Sequence, residues 1–336
     1  KKSNILDNDF EDITIIIPTR NESSNILRKV SEIRGYDYDL GKINLIFADY
    51  QSSDGTPDLI YEINTENNTN SWKLISVDKP GKSHAINKAL DITETDIVII
   101  TDADSECRPS CIKLLVSYLK NPEVGSVCGM MRANPKSTQV EYRRRFNKIR
   151  LAESSIDSTP IFEGSIYAFR LSILNGRRIN EDINADDSQV AIMVRQNGFR
   201  SIMAPDVIVS DQDSSVSRRR RVRRAQGLIR VFWHFSKKPF VFENKFRLFM
   251  NQAFYFHLLM PWIVSCSLGM IFFAHIPNNT PTLGRDVSSL ALSLGLVFAI
   301  FRWKTIKEYL LGISVLIEAQ IRLIFGQRLN IWEPER

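Results

Sequence analysis

The chain has 336 residues, 43% hydrophobic and 24% charged, with a formal net charge of +6. That length holds one large or two modest domains, and the bulk composition is that of an ordinary folded protein. Its four cysteines, Cys107, Cys111, Cys128 and Cys266, form no CxxC pair and no Cys/His metal spacing, which excludes a Cys/His zinc centre and predicts reduced, mostly buried thiols on the cytosolic side. The amino terminus is acidic and polar, so no secretory signal is expected there. Because the first residue is not Met, some of the start is expected to be missing. Bulk averages hide an asymmetry: charges are spread up to about residue 245, long apolar runs follow, and much of the excess positive charge sits in Arg218 to Arg224.

Residues 13 to about 130 alternate strand and helix patterns. Ile13-Thr14-Ile15-Ile16-Ile17 is a β-branched run that stops at Pro18. Helical spacing follows from Asn21 to Arg34 through Ile26, Leu27, Val30 and Ile33, with Asn21, Ser23 or Ser24 as the expected cap. The pattern then predicts a strand over Ile43 to Ala48, a helix over Pro57 to Ile63, a strand over Trp72 to Val77, a helix over Ser83 to Leu90 and a strand over Asp96 to Thr101. Pro109 to Leu119 reads as a helix and Val124 to Met130 as a strand. Short strands alternating with helices imply βαβ units and a mostly parallel sheet. From 131 to about 215 the pattern is mixed: a polar helix over Val140 to Ser154, a strand over Ile166 to Phe169, and a helix over Ser188 to Gln196 that stops at Asn197-Gly198.

After the arginine cluster the chemistry changes. Ala253 to Ile276 contains two imidazoles, His257 and His275, and no charged side chain, and is long enough to cross a bilayer. Val287 to Phe301 is apolar but shorter than the ~20 residues of a usual span. Tyr309 to Phe325 is apolar with Glu318, Gln320 and Arg322 embedded, which favours a helix lying in the membrane interface. The soluble alternative is that all three runs are core helices. Lys237, Lys238, Lys245 and Arg247 precede the first run and Arg302, Lys304 and Lys307 follow the second, whereas the loop between them carries only Arg285 beside Asp286. By the positive-inside rule both ends are cytoplasmic and that loop is outside. The expected layout is a cytoplasmic α/β domain over residues 1–230, an amphipathic linker over 231–252, two transmembrane helices over 253–303, and an interfacial or third membrane helix with the tail over 304–336. Such a chain would be a multi-pass protein of the cell membrane, with the lipid bilayer as a partner.

Ile97 to Ser105 runs an apolar strand into two carboxylates one residue apart. Alternate residues of an extended chain point the same way, so Asp102 and Asp104 can face one pocket at the strand's carboxyl end, where open α/β sheets bind ligands. Two aligned oxygen donors suit a hard divalent cation, Mg2+ or Mn2+, which brings phosphate with it. An isolated Asp-x-Asp is otherwise a solvated loop. Four more stretches stand around that strand end. Ile17-Pro18-Thr19-Arg20-Asn21-Glu22 is a strand-to-helix loop whose helix start can receive an anion or a base. Within Ala48 to Thr56, Asp49 stands where a carboxylate accepts from a base or ribose, while Asp54-Gly55-Thr56 forms the turn and caps the next helix. Within Lys79 to Asn87, Gly81 allows close backbone approach and Lys82 opens a helix, where a lysine suits a phosphate, although the P-loop spacing is absent. Asp186 and Asp187 stand at a helix start, either as caps or with a general base among them.

In order and spacing these segments resemble the family-2 glycosyltransferases of the GT-A fold. The resemblance rests on Pro18, Asn21 and Glu22, on Asp49, Ser52, Asp54, Gly55 and Thr56, on Gly81, Lys82, Ala85 and Asn87, on Asp102 and Asp104, and on Asp187, and covers roughly residues 13 to 227. Phe162 to Arg170 resembles the family's acceptor-side glycine segment. Membrane-bound synthases of the cellulose, hyaluronan and chitin type carry a Gln-x-x-Arg-Trp box before their transmembrane helices. Here Arg223 and Gly227 fit, but Arg220 replaces Gln and Arg224 replaces Trp, so the box is degenerate and processive polymerisation is in doubt. Tyr50-Gln51 departs from the family's frequent Asp-Gly, and Trp332 to Arg336 is similar to a Trp-x-x-x-Arg tail of such synthases.

What the resemblance implies is a Rossmann-like nucleotide-diphospho-sugar transferase domain followed by carboxyl-terminal transmembrane and interfacial helices. Pro18, Thr19, Asn21, Glu22 and Asp49 would receive the nucleotide-sugar. Asp104, helped by Asp102, would hold Mg2+ or Mn2+ on the diphosphate, with Lys82, Arg220 and Arg223 adding fixed positive charge. Asp187 would take the proton from the acceptor hydroxyl, with Gly164, Ser165, Asp186 and Arg224 on the acceptor side. A single displacement inverts and needs no second carboxylate, so the paired carboxylates of a glycoside hydrolase are the poorer reading. The expected reaction moves a sugar from a nucleotide diphosphate, UDP by family habit, to a hydroxyl of a lipid-linked sugar or growing glycan. The alternative acceptor is a polyprenyl phosphate. The arginine run can also face anionic lipid head groups. Nucleic-acid binding fits that run but leaves the apolar tail and acidic sheet edge unexplained, so no nucleic-acid partner is expected. A transporter fits poorly because intramembrane polar residues are few.

Overall fold

A computed structural model describes residues 10–67, 72–132, 140–211, 217–237, 244–274, 295 and 304–329. The chain divides into two units: residues 1–216 with 237–250 and 329–336, and residues 217–236 with 251–328.

The first unit is built on a sheet of eight strands: β1 (Ile13–Thr19), β2 (Ile43–Asp49), β3 (Trp72–Ser76), β4 (Ile97–Thr101), β5 (Ser105–Cys107), β6 (Val124–Arg132), β7 (Ile166–Arg170) and β8 (Arg200–Asp211). Their order is β3-β2-β1-β4-β7-β6-β8-β5. Six helices accompany them: α1 (Ser23–Arg34), α2 (Thr56–Asn67), α3 (Lys82–Asp91), α4 (Cys111–Leu119), α5 (Val140–Ile156) and α6 (Asp186–Gln196). β1 and β4 read as unbroken apolar runs because both faces of the sheet are covered. Ile13, Ile15 and Ile17 pack in one cluster with Ile26, Val30 and Ile33 of α1 and Ile112 and Leu115 of α4. Ile16, on the opposite face by alternation, is equally buried, and α3 packs against β1 and β2. Burying each such isoleucine is worth roughly 1.5–3 kcal/mol.

The sheet is mixed rather than mostly parallel. β1 pairs in parallel with β2 and β4, and β2 with β3. β7 runs antiparallel to both β4 and β6, and β5 antiparallel to β8, while β6 and β8 are parallel. The cause lies in where β7 begins: Ile166 stands opposite Thr101, at the carboxyl end of β4, so the strand can only run back. β8, the longest strand, has no counterpart in the sequence reading. Pro205 argues against a central strand, yet the register with β6 jumps from Cys128 opposite Met203 to Met130 opposite Ile208, and Pro205 falls in that irregular stretch. All four cysteines are free; Cys107, Cys111 and Cys128 are buried and Cys266 is exposed.

In the second unit, α7 spans Arg218–Ser236 and takes up the arginine cluster. α8 (Asn244–Phe254), which begins in the first unit, continues through a π turn (Tyr255–Leu259) into α9 (Met260–Ala274). Among the described residues, Lys245–Met270 is the helical stretch long and apolar enough to cross a membrane, with a mean hydropathy of 1.4 and 17% of its apolar window buried within the chain. The second expected span, Val287 to Phe301, lies outside the described residues apart from Gly295, as does the tail from Trp332 to Arg336. The third run forms α10 (Lys304–Ile324). Its embedded polar residues bind inside this unit: Glu318 pairs with Arg218 at 2.8 Å and Arg322 at 3.0 Å, and Gln320 accepts from Trp262 Nε1 at 2.8 Å.

Candidate functional site

The carboxyl ends of β1, β2 and β4 lie side by side, with Thr19 opposite Asp49 in the register. The loops leaving β1 and β2 lock together. α1 has no side-chain cap of its own, so the expected capping by Asn21, Ser23 or Ser24 does not occur. Its first backbone N–H groups donate across to the next loop instead: Asn21 N to Ser52 Oγ at 2.8 Å, Glu22 N to Thr56 Oγ1 at 2.9 Å and Ser23 N to Asp54 Oδ2 at 3.0 Å. Asn21 sits at φ 54°, a conformation Asn tolerates, and its Oδ1 accepts from Ser53 N at 2.8 Å. Pro18 and Thr19 are buried at the end of β1. Asp49 is 3% exposed and accepts from Thr19 Oγ1 at 3.2 Å, Ser52 Oγ at 2.5 Å and Ser52 N at 3.1 Å. Its carboxylate therefore organises this double loop. Tyr50 is buried beneath the guanidinium of Arg20, 5.8 Å from the ring centre.

Asp102 and Asp104 do not continue the strand. β4 ends at Thr101, and the chain from Asp102 turns, with Ser105 N donating to Asp102 O at 3.4 Å. Both aspartates are half-buried. Gly81, at φ 147°, starts α3 and delivers Lys82 to the site. Lys82 Nζ stands 2.7 Å from Asp102 Oδ1 and 3.5 Å from Asp186 Oδ2. One ammonium thus joins the end of β4 to the start of α6.

Asp186 and Asp187 do not cap α6, whose N-cap is Ala185 without a side-chain hydrogen bond. Asp186 is 5% exposed and accepts from the Tyr167 hydroxyl at 2.7 Å. Asp187 accepts from Ser188 N at 2.7 Å. Gly164 packs on it so closely that a Cβ there would lie 3.2 Å from Asp187 Oδ2. Ser165 O, in the same segment, accepts from Asp102 N at 3.2 Å. The structure therefore brings Lys82, Asp102, Gly164, Ser165, Asp186 and Asp187 together. Arg220, Arg223 and Arg224 lie on α7 in the second unit, the first two half-buried and the third exposed.

The charges explain the titration of the cluster. Burial, then the charge of Asp186, pushes the Asp187 carboxyl up to about 7, against the pull of Lys82. Burial acts to lower Lys82, but Asp102 and Asp186 overcome it and raise its pKa. Burial, then Asp186, holds the Tyr167 phenol well above its ordinary value. Three carboxylates share one ammonium, and the raised Asp187 registers that surplus. A divalent cation at Asp102 and Asp104 would offset it. Among the described residues no group of three or more His, Cys, Asp or Glu side chains forms a protein cage. Two carboxylates completed by phosphate oxygens are a set that Mg2+ commonly takes, so the residues fit such an ion held jointly with a diphosphate.

Sequence reasoning missed Arg28 and Lys29, and took Glu163 and Tyr167 only as part of the Phe162 to Arg170 segment. Glu163 sits beside Gly164 and pairs with Arg150 at 3.2 Å and Arg143 at 3.9 Å on α5. Tyr167 had a signal in its position within a strand whose partner leads into Asp102, with Tyr167 opposite Ile100.

The family model "Glycosyl transferase family 2" matches residues 14–200, more than half of the chain. Poly-beta-1,6-N-acetyl-D-glucosamine synthase of Staphylococcus aureus is 26% identical over 211 residues, covering 60% of this chain and 50% of that protein. The chain thus spans half the length of that relative. Among solved structures, the mannosyltransferase PcManGT from Pyrobaculum calidifontis, in complex with GDP-Man and Mn2+, superposes with a TM-score of 0.83 at 27% identity, covering 96% of this chain and 90% of that one. S. aureus TarS residues 1–349, in complex with UDP-GlcNAc, shares the fold with a TM-score of 0.53 at 14% identity, covering 94% and 92%. The chain belongs to glycosyl transferase family 2, and its mixed sheet with flanking helices is the GT-A-like architecture of that family.

Proposed function

We propose that the chain is a metal-dependent, inverting glycosyltransferase that moves a sugar from a nucleoside-diphosphate donor to a hydroxyl of a lipid-linked sugar or growing glycan at a membrane. The observation that carries this reading is Lys82, whose ammonium bridges Asp102 at 2.7 Å and Asp186 at 3.5 Å. That contact couples a phosphate-and-metal side to an acid-base side. In the reaction the acceptor oxygen bonds the anomeric carbon from the face opposite the diphosphate. The bond from that carbon to the diphosphate oxygen breaks, with its electron pair leaving on the phosphate. Asp187 takes the acceptor proton, and a carboxyl raised to about 7 is basic enough to do so near neutrality. Lys82 holds fixed positive charge beside the leaving group without reorganising. Mg2+ or Mn2+, bound by Asp102 and Asp104, would supply further neutralisation of the diphosphate. The double loop of Pro18, Thr19, Asn21, Glu22 and Asp49 receives the nucleoside.

The neighbours support both the donor class and the metal, one with GDP-Man and Mn2+ and one with UDP-GlcNAc. The apolar stretch Lys245–Met270 supports an acceptor met at the bilayer, with the catalytic unit on the cytoplasmic side of the cell membrane. The test is a donor screen measuring nucleotide release with and without Mn2+, followed by transfer assays on Asp187→Asn. A hydroxyl acceptor needs the base, so transfer should fall about 100-fold or more. A polyprenyl phosphate is acidic enough to attack without one, and a mild loss would favour that acceptor instead.

A further inference from the structure

Lys29 is a fully buried lysine, 0% exposed, on α1. An ammonium removed from water costs several kcal/mol unless its protons find acceptors. Lys29 Nζ has three: Ser105 O at 2.5 Å, Glu32 Oε1 at 3.2 Å and Ser105 Oγ at 3.4 Å. Two belong to the residue that follows Asp104. The neighbouring Arg28 donates from Nη2 to Asp104 O at 3.3 Å. Consecutive side chains of one helix therefore hold consecutive carbonyls of the turn that carries Asp104. Ser105 spreads the hold further, because its Oγ donates to Asp102 O at 2.8 Å and lies 3.0 Å from Thr101 Oγ1 and 3.2 Å from Ser165 O. Glu32 is itself fixed, its Oε1 accepting from the Tyr36 hydroxyl at 2.6 Å and Cys107 N at 3.1 Å.

We infer that Lys29, with Arg28, is the positioning residue for Asp104, setting where its carboxylate meets a metal-bound nucleoside diphosphate; this rests on the glycosyltransferase reading above. Stability alone does not call for a charge here, since buried ion pairs can often be replaced by apolar side chains without loss. Placement does: groups behind a metal ligand typically change metal affinity about 10–100-fold when removed. β5 follows the turn at once and is a three-residue strand at the edge of the sheet, so little ladder pairing holds that side.

The test is calorimetric titration of UDP and of GDP into the full chain, with and without Mn2+, alongside thermal unfolding. Lys29→Met with Glu32→Gln removes both buried charges at nearly constant volume. It should melt close to the parent and keep its metal-free nucleotide affinity, while the gain in affinity that Mn2+ confers falls about tenfold or more. Arg28→Met removes the Asp104 tether, together with a bond to Asn25 Oδ1 within α1, and should reduce that gain about threefold. A folded double variant with the full Mn2+-dependent gain would overturn the inference, as would an unfolded double variant together with an unaltered Arg28→Met. Failure of the parent chain to bind either nucleotide would instead overturn the glycosyltransferase reading, and this inference with it.

Discussion

Asp187 packs against Gly164 and, as the proposed base, has to lose its proton near neutrality. Burial and Asp186 raise its carboxyl to about 7, so transfer should climb with pH through that value and level off above it, which a pH–rate profile of kcat would show. The same shift affects stability. Folded Asp187 binds its proton more tightly than unfolded Asp at about 3.9, so its contribution falls as pH rises from about 4 to about 7 and stays low above. Asp187→Asn should then match the parent near pH 4 and melt higher near pH 8 without added metal, by roughly 1–2 kcal/mol or about 2–6 °C. Gly164→Ala places a methyl 3.2 Å from Asp187 Oδ2 and should lower kcat more than it changes the donor KM. Asp102, Lys82 and Asp187 could be read from the sequence because each stands at a local strand end or helix start. Lys29 could not, since Ser105 lies 76 residues away and nothing local marks the pairing, and Tyr167 was legible only as part of the Phe162 to Arg170 segment, its partner Asp186 lying 19 residues on.

At the scale of elements, the β1 and β2 loops depend on capping from a distance. Thr56 is 0% exposed, donates to Asp54 Oδ1 at 2.6 Å and accepts from Glu22 N at 2.9 Å. Thr56→Val leaves that buried N–H unmet and should cost about 1–2 kcal/mol in denaturant unfolding. It should also raise the KM for the donor, because the freed loop carries Asn21 and Glu22. Strands β1 to β4 with helices α1 to α3 were legible because apolar runs and helical spacing alternate plainly there. The antiparallel insertion of β7 depends on which strand end it meets, and β8 is interrupted by Pro205 at its register shift. Both are tertiary facts that no local pattern encodes. The polar side chains inside α10 were legible as a departure from a plain span, but not as partners of Arg218 and Trp262.

At the scale of the whole molecule, the stretch Lys245–Met270 is long and apolar enough to cross a membrane. Leu248, Leu259, Ile263 and Met270 are exposed along Lys245–Met270. The full chain should float with lipid vesicles, and Ile263→Lys with Met270→Lys should cut the bound fraction about fivefold or more, since each lysine costs roughly 2.5–3.5 kcal/mol in a membrane-spanning helix. Unchanged flotation would remove the membrane from the account while leaving the catalytic unit untouched. In the proposed function, Asp102, Asp104 and Lys82 gather a nucleoside diphosphate at the end of β4. Release of nucleoside diphosphate from UDP- and GDP-sugars, by the parent chain and by Asp104→Ala with and without Mn2+, tests that most directly. The parent should release it only with the metal, and Asp104→Ala should lose about 100-fold or more of that rate. Full metal-dependent release by Asp104→Ala would contradict the account.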